Sequence, residues 1–340
     1  MSDSLKRLSS EHGQSPWLDN LQRGYLTTGT LAALIERGVR GLTSNPTIFQ
    51  KAIQGSADYD EQFRSEIQKG STARDAYWEL VLQDIHGALD AFANLYSQSG
   101  GADGFVSVEV DPSLAHDTAG TLSAARLLHE RIARPNVMIK IPATQQGLSA
   151  IREMIAEGRN VNVTLIFSLS RYQEVMDAYI EGLEQRMASG APVSGIASVA
   201  SFFISRVDNE IDKRLDQLGT AAALALRGTA AINQARLAYA AFQKTFSGPR
   251  WDALAKAGAA LGLPADQAAR LAIATLEGSA IMAADADVSP AILADRVASP
   301  GGSTREGMNV LDRDDALVAL LTETLAASER RNAEMAAAAR

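Results

Sequence analysis

The sequence predicts an α/β fold with a parallel sheet, either doubly wound or closed into a (β/α)8 barrel, followed by an all-helical region. Short β-branched runs alternate with amphipathic helical runs through the first part of the chain, a pattern typical of parallel sheets. Polar residues recur at the carboxyl ends of these runs, where both folds place their sites. After about residue 205 the strand pattern stops.

Each predicted strand is a short apolar or β-branched run next to helical sequence. The six strands are predicted at 16–19, 39–44, 104–110, 136–142, 161–167 and 195–203. Amphipathic helices are predicted between them, for example at 73–97, 119–134, 145–157 and 169–187. Residues 206–258 also have helical spacing, and a last helical stretch begins near residue 314. A complete eight-stranded barrel would need two more strands than the sequence shows.

The composition of the chain argues against several classes of partner and of catalytic site. The net charge of -8 and the pI near 5.2 predict no nucleic-acid or membrane partner. The chain has no cysteine, which excludes disulfides and thiol catalysis. Its four histidines form no metal-binding spacing. GxGxxG, Walker and GxSxG motifs are absent, which argues against a nucleotide-cofactor site and a serine hydrolase. No apolar leader and no run of 18 apolar residues occur, which predicts a cytoplasmic protein.

Lys140 is the most informative residue. It lies inside the apolar run 136–142, where alternation places it on the same side as Met138 and Pro142. Burial disfavours an ammonium ion and so favours the neutral, nucleophilic amine that a Schiff-base enzyme needs. The alternative is a lysine on an edge strand that extends to water.

Polar side chains at the strand ends surround this lysine in a barrel arrangement. Alternation puts Ser107 and Glu109 on one face of their strand, and such faces line the lumen of a parallel barrel. The candidate site comprises Asp19, Asn45, Ser107, Glu109, Lys140, Asn162, Thr164, Ser201, Phe203 and Arg206.

Several candidates have a purely structural alternative. Asp19 could cap the next helix, and Asn45 before Pro46 is a common turn pair. Arg206 could form a surface pair with Asp208, which would stabilise the protein little. The grouping of these residues around a buried lysine favours the site.

Five segments, in order, resemble the transaldolase family over residues 1–258. They are GLTSNPTIF at 41–49, VSVEVDP at 106–112, NVMIKIPAT at 136–144, NVNVTLIFS at 160–168 and SVASFFISRVD at 198–208. The resemblance implies a (β/α)8 TIM-type barrel, here with only six recognisable strands. It also implies the transfer of a dihydroxyacetone unit between sugar phosphates in the pentose phosphate pathway, without a cofactor.

The resemblance also implies roles for the site residues. Lys140 would form the Schiff base, Asp19 would move the proton of the hydroxyl at the cleaved bond, and Glu109 with Thr164 would relay protons through a water. Phe203 would wall the pocket and Arg206 would bind phosphate. The implied sugar-orienting residues are Asn45, Ser107, Asn162 and Ser201.

Residues 259–340 resemble instead the C-terminal helical domain of pyrroline-5-carboxylate reductase. The matching segments are LGLP at 261–264, ASPGGST at 298–304, GMNVL at 307–311 and ERRNAE at 329–334. The resemblance implies a homodimer through these helices, with Ser299 and Thr304 at carboxylate-binding positions. The chain then resembles a fusion of two domains, 1–258 and 259–340.

Three functions fit these observations. The first is a transaldolase, with activity that the missing strands could impair. The second is an impaired fusion protein that acts as a dimerising module. The third is a protein related to pyrroline-5-carboxylate reductase in proline biosynthesis, which the missing dinucleotide fingerprint disfavours.

Overall fold

The computed structural model describes residues 4–260 and contains all six predicted strands. They are β1 (Trp17–Asp19), β2 (Gly41–Thr43), β3 (Val106–Glu109), β4 (Val137–Pro142), β5 (Val161–Ile166) and β6 (Ser198–Phe202). Each is no longer than its predicted run, and β2 and β6 are about half as long. The prediction of their number and of their positions along the chain is confirmed.

Helices connect the strands. They are α1 (Ser4–His12), α2 (Arg23–Thr27), α3 (Thr30–Glu36), α4 (Pro46–Gly55), α5 (Asp60–Gln68), α6 (Ala73–Gln98), α7 (Thr118–Ile132), α8 (Gln145–Ala156), α9 (Leu169–Ala188), α10 (Ser205–Leu218), α11 (Ala221–Leu224), α12 (Ala230–Thr245) and α13 (Pro249–Ala260). Short 3-10 helices occur at Ala57–Tyr59 and Pro112–Leu114. The helices predicted at 73–97, 119–134, 145–157 and 169–187 correspond to α6, α7, α8 and α9.

Side-chain caps explain where several of these helices begin. The side chains of Thr72, Thr144 and Ser168 accept hydrogen bonds from backbone N–H groups in the first turns of α6, α8 and α9. Such caps satisfy donors that the helix itself leaves free. They fix the point at which the chain turns from each strand end or loop into the following helix.

The strand order excludes the doubly wound alternative. The sheet runs β1-β2-β3-β4-β5-β6, and every neighbouring pair is parallel. Right-handed crossovers that always advance in one direction place the connecting helices on one face of the sheet. A doubly wound sheet reverses its order at a switch point instead. The architecture is therefore a TIM-type half-barrel.

Contacts between strands that are not neighbours show that the sheet curls. Lys140 on β4 donates to the carbonyl of Ser44, which follows β2 (3.4 Å). Asn162 on β5 donates to Ser107 Oγ on β3 (3.0 Å). Neighbouring strands are about 4.8 Å apart in a flat sheet, so these bonds require a concave face. That face carries the polar side chains, and the opposite face is apolar.

The apolar core lies between the convex face of the sheet and the helices. Val137, Ile139 and Ile141 of β4 are fully buried, as are Ile151 of α8 and Leu89 of α6. Burying side chains of this size stabilises the fold by about 1.5–3 kcal/mol each. This packing holds the strand ends, and hence the polar face, in place.

The helical prediction for 206–258 is confirmed by α10 to α13. Within the described residues, one compact unit comprises 4–245 with 256–260, and a second comprises 246–255. The domain predicted at 259–340, the loop with Ser299 and Thr304, and the predicted dimer helices lie outside the described residues, apart from the end of α13. Among residues 4–260, no helix combines the length and apolar character needed to cross a membrane.

Candidate active site

Lys140 is buried on the concave face at the centre of the sheet. Lys140 is only 6% exposed, and its strand, β4, has a neighbouring strand on each side. The alternative of an edge-strand lysine that extends to water is therefore wrong. Its Nζ lies 3.3 Å from Glu109 Oε2 and 3.4 Å from the Ser44 carbonyl oxygen. The amine is held by one carboxylate and one backbone oxygen.

Glu109 is the carboxylate beside this amine, because Glu109 and Lys140 are register partners on β3 and β4. Burial raises the pKa of Glu109 above its ordinary value, the positive charge of Lys140 opposes that rise, and the negative charge of Asp19 adds to it. Desolvation dominates, so the pKa of Glu109 is raised. A carboxyl that retains its proton more readily is suited to proton transfer near neutral pH.

Asp19 ends β1 and lies in register with Thr43, which in turn pairs with Ser107. Register partners point to the same face, so Asp19 belongs to the concave face. Its alternative role as a helix cap is wrong, because α2 begins after Gln22. Unlike Glu109, Asp19 is exposed. Its negative charge contributes to the raised pKa of Glu109. The structure thus places one buried carboxylate beside the lysine and a second, exposed carboxylate close enough to act on the first.

A chain of hydrogen bonds crosses three strands beside the lysine. Ser201 Oγ on β6 donates to Asn162 Oδ1 on β5 (2.9 Å), and Asn162 Nδ2 donates to Ser107 Oγ on β3 (3.0 Å). Asn162 is also the register partner of Lys140. All three predicted residues therefore meet on one face, and the chain fixes the orientation of the Asn162 amide.

Two further predicted residues line this end of the sheet. Thr164 is buried, and it pairs with Pro142 near the carboxyl end of β4. Asn45 caps α4, where its Oδ1 accepts a hydrogen bond from Ile48 N (3.0 Å) and Pro46 occupies the first helical turn. The Asn45 oxygen therefore has a structural role, as a helix cap rather than as part of an isolated turn with Pro46. The cap also holds the side chain at the carboxyl end of β2.

Phe203 and Arg206 lie just beyond β6. The Arg206 guanidinium carbon is 4.6 Å from the centre of the Phe203 ring, a geometry that favours cation–π attraction. Asp208 accepts a hydrogen bond from the backbone of Ala231, and among the described residues no ion pair joins it to Arg206. Arg206 is exposed, so its charge faces solvent just beyond the carboxyl end of β6.

Sequence reasoning missed two residues that the structure brings to the site. Ser44 is fully buried; its carbonyl contacts Lys140, and its Oγ donates to the Ser107 carbonyl (2.8 Å). Its position between a strand and the Asn45 cap was the available signal. Phe167 stacks on Phe203 with ring centres 5.0 Å apart. No sequence signal predicted that contact, because alternation along β5 places Phe167 on the other face.

These groups can perform nucleophilic and acid–base chemistry on a carbonyl compound. A buried amine can attack a carbonyl carbon, two carboxylates can move protons, and hydroxyl and amide groups can orient a polyol. An exposed arginine beyond the strand ends can bind an anion. The arrangement therefore fits a phosphorylated sugar with a carbonyl group.

Comparisons with known proteins agree with this chemistry. The family model described as Transaldolase/Fructose-6-phosphate aldolase matches residues 16–333. Transaldolase 1 of Streptomyces avermitilis is 54% identical over 258 residues, which cover 76% of this chain and 68% of that protein. Transaldolase 1 of Streptomyces coelicolor is 54% identical over 255 residues, covering 75% and 67%. The transaldolase of a Parafrankia strain is 52% identical over 260 residues, covering 76% and 70%. These matches support the transferase interpretation and neither alternative function.

Proposed function

The chain belongs to the transaldolase/fructose-6-phosphate aldolase family and is a transaldolase, and we propose that it transfers a dihydroxyacetone unit through a Schiff base on Lys140. The donor is a ketose phosphate such as sedoheptulose 7-phosphate, and the acceptor is glyceraldehyde 3-phosphate. The products are erythrose 4-phosphate and fructose 6-phosphate. The reaction belongs to the pentose phosphate pathway.

The reaction begins at the buried amine. Lys140 Nζ attacks the ketone carbon of the donor, and loss of water leaves an imine. Glu109 lies 3.3 Å from that nitrogen and relays the protons that imine formation requires, with Thr164 holding the water through which they pass. The raised pKa of Glu109 supports this role, because the group must both take and give a proton.

Carbon–carbon cleavage then needs a second base. Asp19 takes the proton of the hydroxyl at the bond that breaks, and the electron pair of that bond moves into the imine to give an enamine. The first aldose leaves. The enamine attacks the carbonyl carbon of the acceptor, Asp19 returns the proton to the new hydroxyl, and water releases the product from Lys140. The water lost when the imine forms is taken up again when the product is released, so the reaction needs no further reactant.

The remaining residues hold the substrate. The hydrogen-bonded chain of Ser201, Asn162 and Ser107 presents fixed polar groups to the sugar hydroxyls, and Asn45 adds its amide N–H groups. Phe203 walls the pocket. Arg206 binds the phosphate, for which its planar fork of donors is suited.

The burial of Lys140 against Glu109 is the observation that carries this proposal. Intact-mass analysis after incubation with fructose 6-phosphate and sodium borohydride tests it. We expect a stable adduct of the donor or its dihydroxyacetone unit on the wild-type protein, and none on Lys140→Ala. Wild-type protein that is folded by circular dichroism and gains no mass would disprove the proposal.

Two predictions rest on the sequence alone. We propose that residues 259–340 form a helical dimerisation domain resembling that of pyrroline-5-carboxylate reductase, and that the protein works in the cytoplasm. Sedimentation analysis of the full chain tests the first: a homodimer is expected, and a monomer at every concentration would contradict it.

A further inference from the structure

Strand β5 contains one residue more than its neighbour. Val161 and Val163 pair with Ser198 and Ala200, but the next partners are Ile166 and Phe202. Three steps along β5 therefore match two steps along β6. The extra residue is Leu165, whose φ of 61° lies in the left-handed region that a bulky residue seldom adopts. Such a one-residue bulge reverses the face to which the following side chains point.

The bulge redirects Phe167. Strict alternation would place Phe167 on the same face as Val161 and Val163, which are buried against the helices. Instead, its ring stacks on Phe203 with centres 5.0 Å apart and planes 22° apart. Phe167 is 42% exposed, so this contact lies at the protein surface, beyond the strand ends. The strained backbone at Leu165 is the reason that two aromatic rings meet there.

A contact from α12 holds the redirected segment. Gln234 Nε2 donates to the Phe167 carbonyl oxygen (2.8 Å), and Phe203 N donates to the Ile166 carbonyl oxygen (3.0 Å). The backbone on both sides of the Phe167 peptide is thereby tied to neighbouring elements. The backbone that carries the Phe167 ring is consequently anchored where that ring packs on Phe203.

Phe203 in turn supports Arg206. The guanidinium carbon lies 4.6 Å from the centre of the Phe203 ring, and Arg206 is otherwise an exposed side chain. An exposed arginine loses considerable rotamer freedom when it binds an anion. A ring that is already fixed reduces that loss, because it holds the guanidinium near its bound position.

We propose that Phe167 is a positioning residue for phosphate recognition: it fixes the Phe203 ring, and through that ring the Arg206 guanidinium. The inference rests on the proposed function, because it assumes that Arg206 binds the substrate phosphate. It assigns Phe167 no contact with the reacting atoms. Its loss should weaken binding of phosphorylated ketoses and leave imine chemistry on Lys140 unchanged.

Borohydride trapping at Lys140 tests this with two ketones, fructose 6-phosphate and unphosphorylated dihydroxyacetone. The measured quantity is the ketone concentration that gives half-maximal trapping. For Phe167→Ala we expect this concentration to rise about twofold to fivefold for fructose 6-phosphate, the scale of one exposed cation–π contact that is no longer held in place. For dihydroxyacetone it should stay unchanged. Phe167→Tyr, which keeps the ring, should behave as the wild type.

Phe242→Ala is the matched control. Phe242 on α12 is 41% exposed and stacks on Tyr239, so it resembles Phe167 in exposure and in partner. Its replacement should change neither concentration. Gln234→Leu removes the donor to the Phe167 carbonyl without touching either ring, and it should raise the fructose 6-phosphate concentration by a smaller factor.

The outcomes separate this inference from the proposed function. If wild-type protein is trapped by neither ketone, the proposed function fails and this inference with it. If the wild type is trapped and Phe167→Ala leaves fructose 6-phosphate binding unchanged, or weakens both ketones equally, Phe167 has no positioning role and the inference alone is overturned.

Discussion

Lys140 Nζ lies 3.3 Å from Glu109 Oε2, although the two side chains are only 8% and 9% exposed. Burying an ion pair costs solvation that its mutual attraction often fails to repay. The Ser44 carbonyl, which also accepts from Lys140, offsets part of that cost. The rest is seen at Glu109, because burial raises the pKa of this carboxyl. A carboxyl that takes up a proton more readily than usual suits a site in which protons are moved.

The pH dependence of imine formation should move when Asp19 is neutralised. The ionised form of Glu109 is the base, so the rate falls as the pH drops through the pKa of Glu109. The charge of Asp19 contributes to raising that pKa. Asp19→Asn should therefore lower the pKa of Glu109 and shift the acid limb to lower pH. The measurement is the initial rate of reductive trapping of dihydroxyacetone by cyanoborohydride across acid and neutral pH.

Glu109→Gln provides the control for that assignment. It removes the titrating group, so the acid limb should disappear, and the trapping rate should fall by about 100-fold or more, as is usual when a positioned proton-transfer group is lost. An acid limb that stays in place in Glu109→Gln would show that another group titrates.

The two asparagines of the β5 region should separate stability from function. Asn160 donates to the Pro135 carbonyl and accepts from Ala197 N, so it ties loops at the amino ends of the strands. Asn162 lies in the concave site. Each replacement by alanine should lower the free energy of unfolding by about 1–3 kcal/mol, because buried polar partners lose their bonds.

Only Asn162→Ala should also change kcat/KM beyond what the loss of folded protein explains. Urea unfolding and steady-state kinetics on the same preparations measure both quantities. Equal kinetic losses in the two variants would argue that Asn162 acts only through stability. The expectation follows from the position of the two residues, since barrels place their sites at the carboxyl ends of the strands and their stabilising residues at the other end.

Much of the fold and site could be predicted because local patterns determined them. Six β-branched runs marked the strands, and the polar residues at their ends marked the concave face. The alternation of strands and helices, however, is the same in a barrel and in a doubly wound sheet. Strand order distinguishes the two folds, and it depends on long-range pairing that the sequence pattern does not display.

The features that the sequence did not predict depend on backbone geometry. The Ser44 carbonyl reaches Lys140 only because the sheet curls, and a main-chain oxygen has no residue signature. Leu165 adopts a left-handed conformation that its residue type disfavours, so the reversal at Phe167 could not be anticipated. Both features lie at the site, where local rules are most often broken.

The paired N–H donors of the Arg206 guanidinium, and not only its positive charge, should contribute to phosphate binding. Arg206→Lys keeps the positive charge but loses the paired donors and the flat surface that packs on Phe203. We expect the KM for fructose 6-phosphate to rise about tenfold, with kcat much less affected, because the group does not touch the reacting bond. Arg214→Lys, an exposed arginine paired with Glu210 on α10, is the matched control. A KM that stays unchanged in Arg206→Lys would remove Arg206 from the proposed site.

A buried ion-pair network between α2 and α6 should control stability. Arg23 Nε donates to Asp84 Oδ1 (2.8 Å), Tyr59 OH donates to Asp84 Oδ2 (2.8 Å), and Arg23 N donates to the Tyr59 hydroxyl (2.8 Å). Asp84→Ala leaves the Arg23 guanidinium buried without a carboxylate, which should cost about 3–5 kcal/mol. Urea unfolding measures this loss.

Two comparisons show whether the cost comes from the unpaired charge. Asp60→Ala breaks an exposed pair with Arg64 and should change stability little, since surface pairs contribute little. The double variant Arg23→Met, Asp84→Leu removes both charges and should recover much of the stability that Asp84→Ala loses, because apolar groups can replace a buried pair. If the double variant is as unstable as Asp84→Ala, the loss reflects packing rather than an uncompensated charge.

Asp84→Ala should also slow turnover. Arg23 follows Asp19 by four residues, so loss of its partner should loosen the segment after β1.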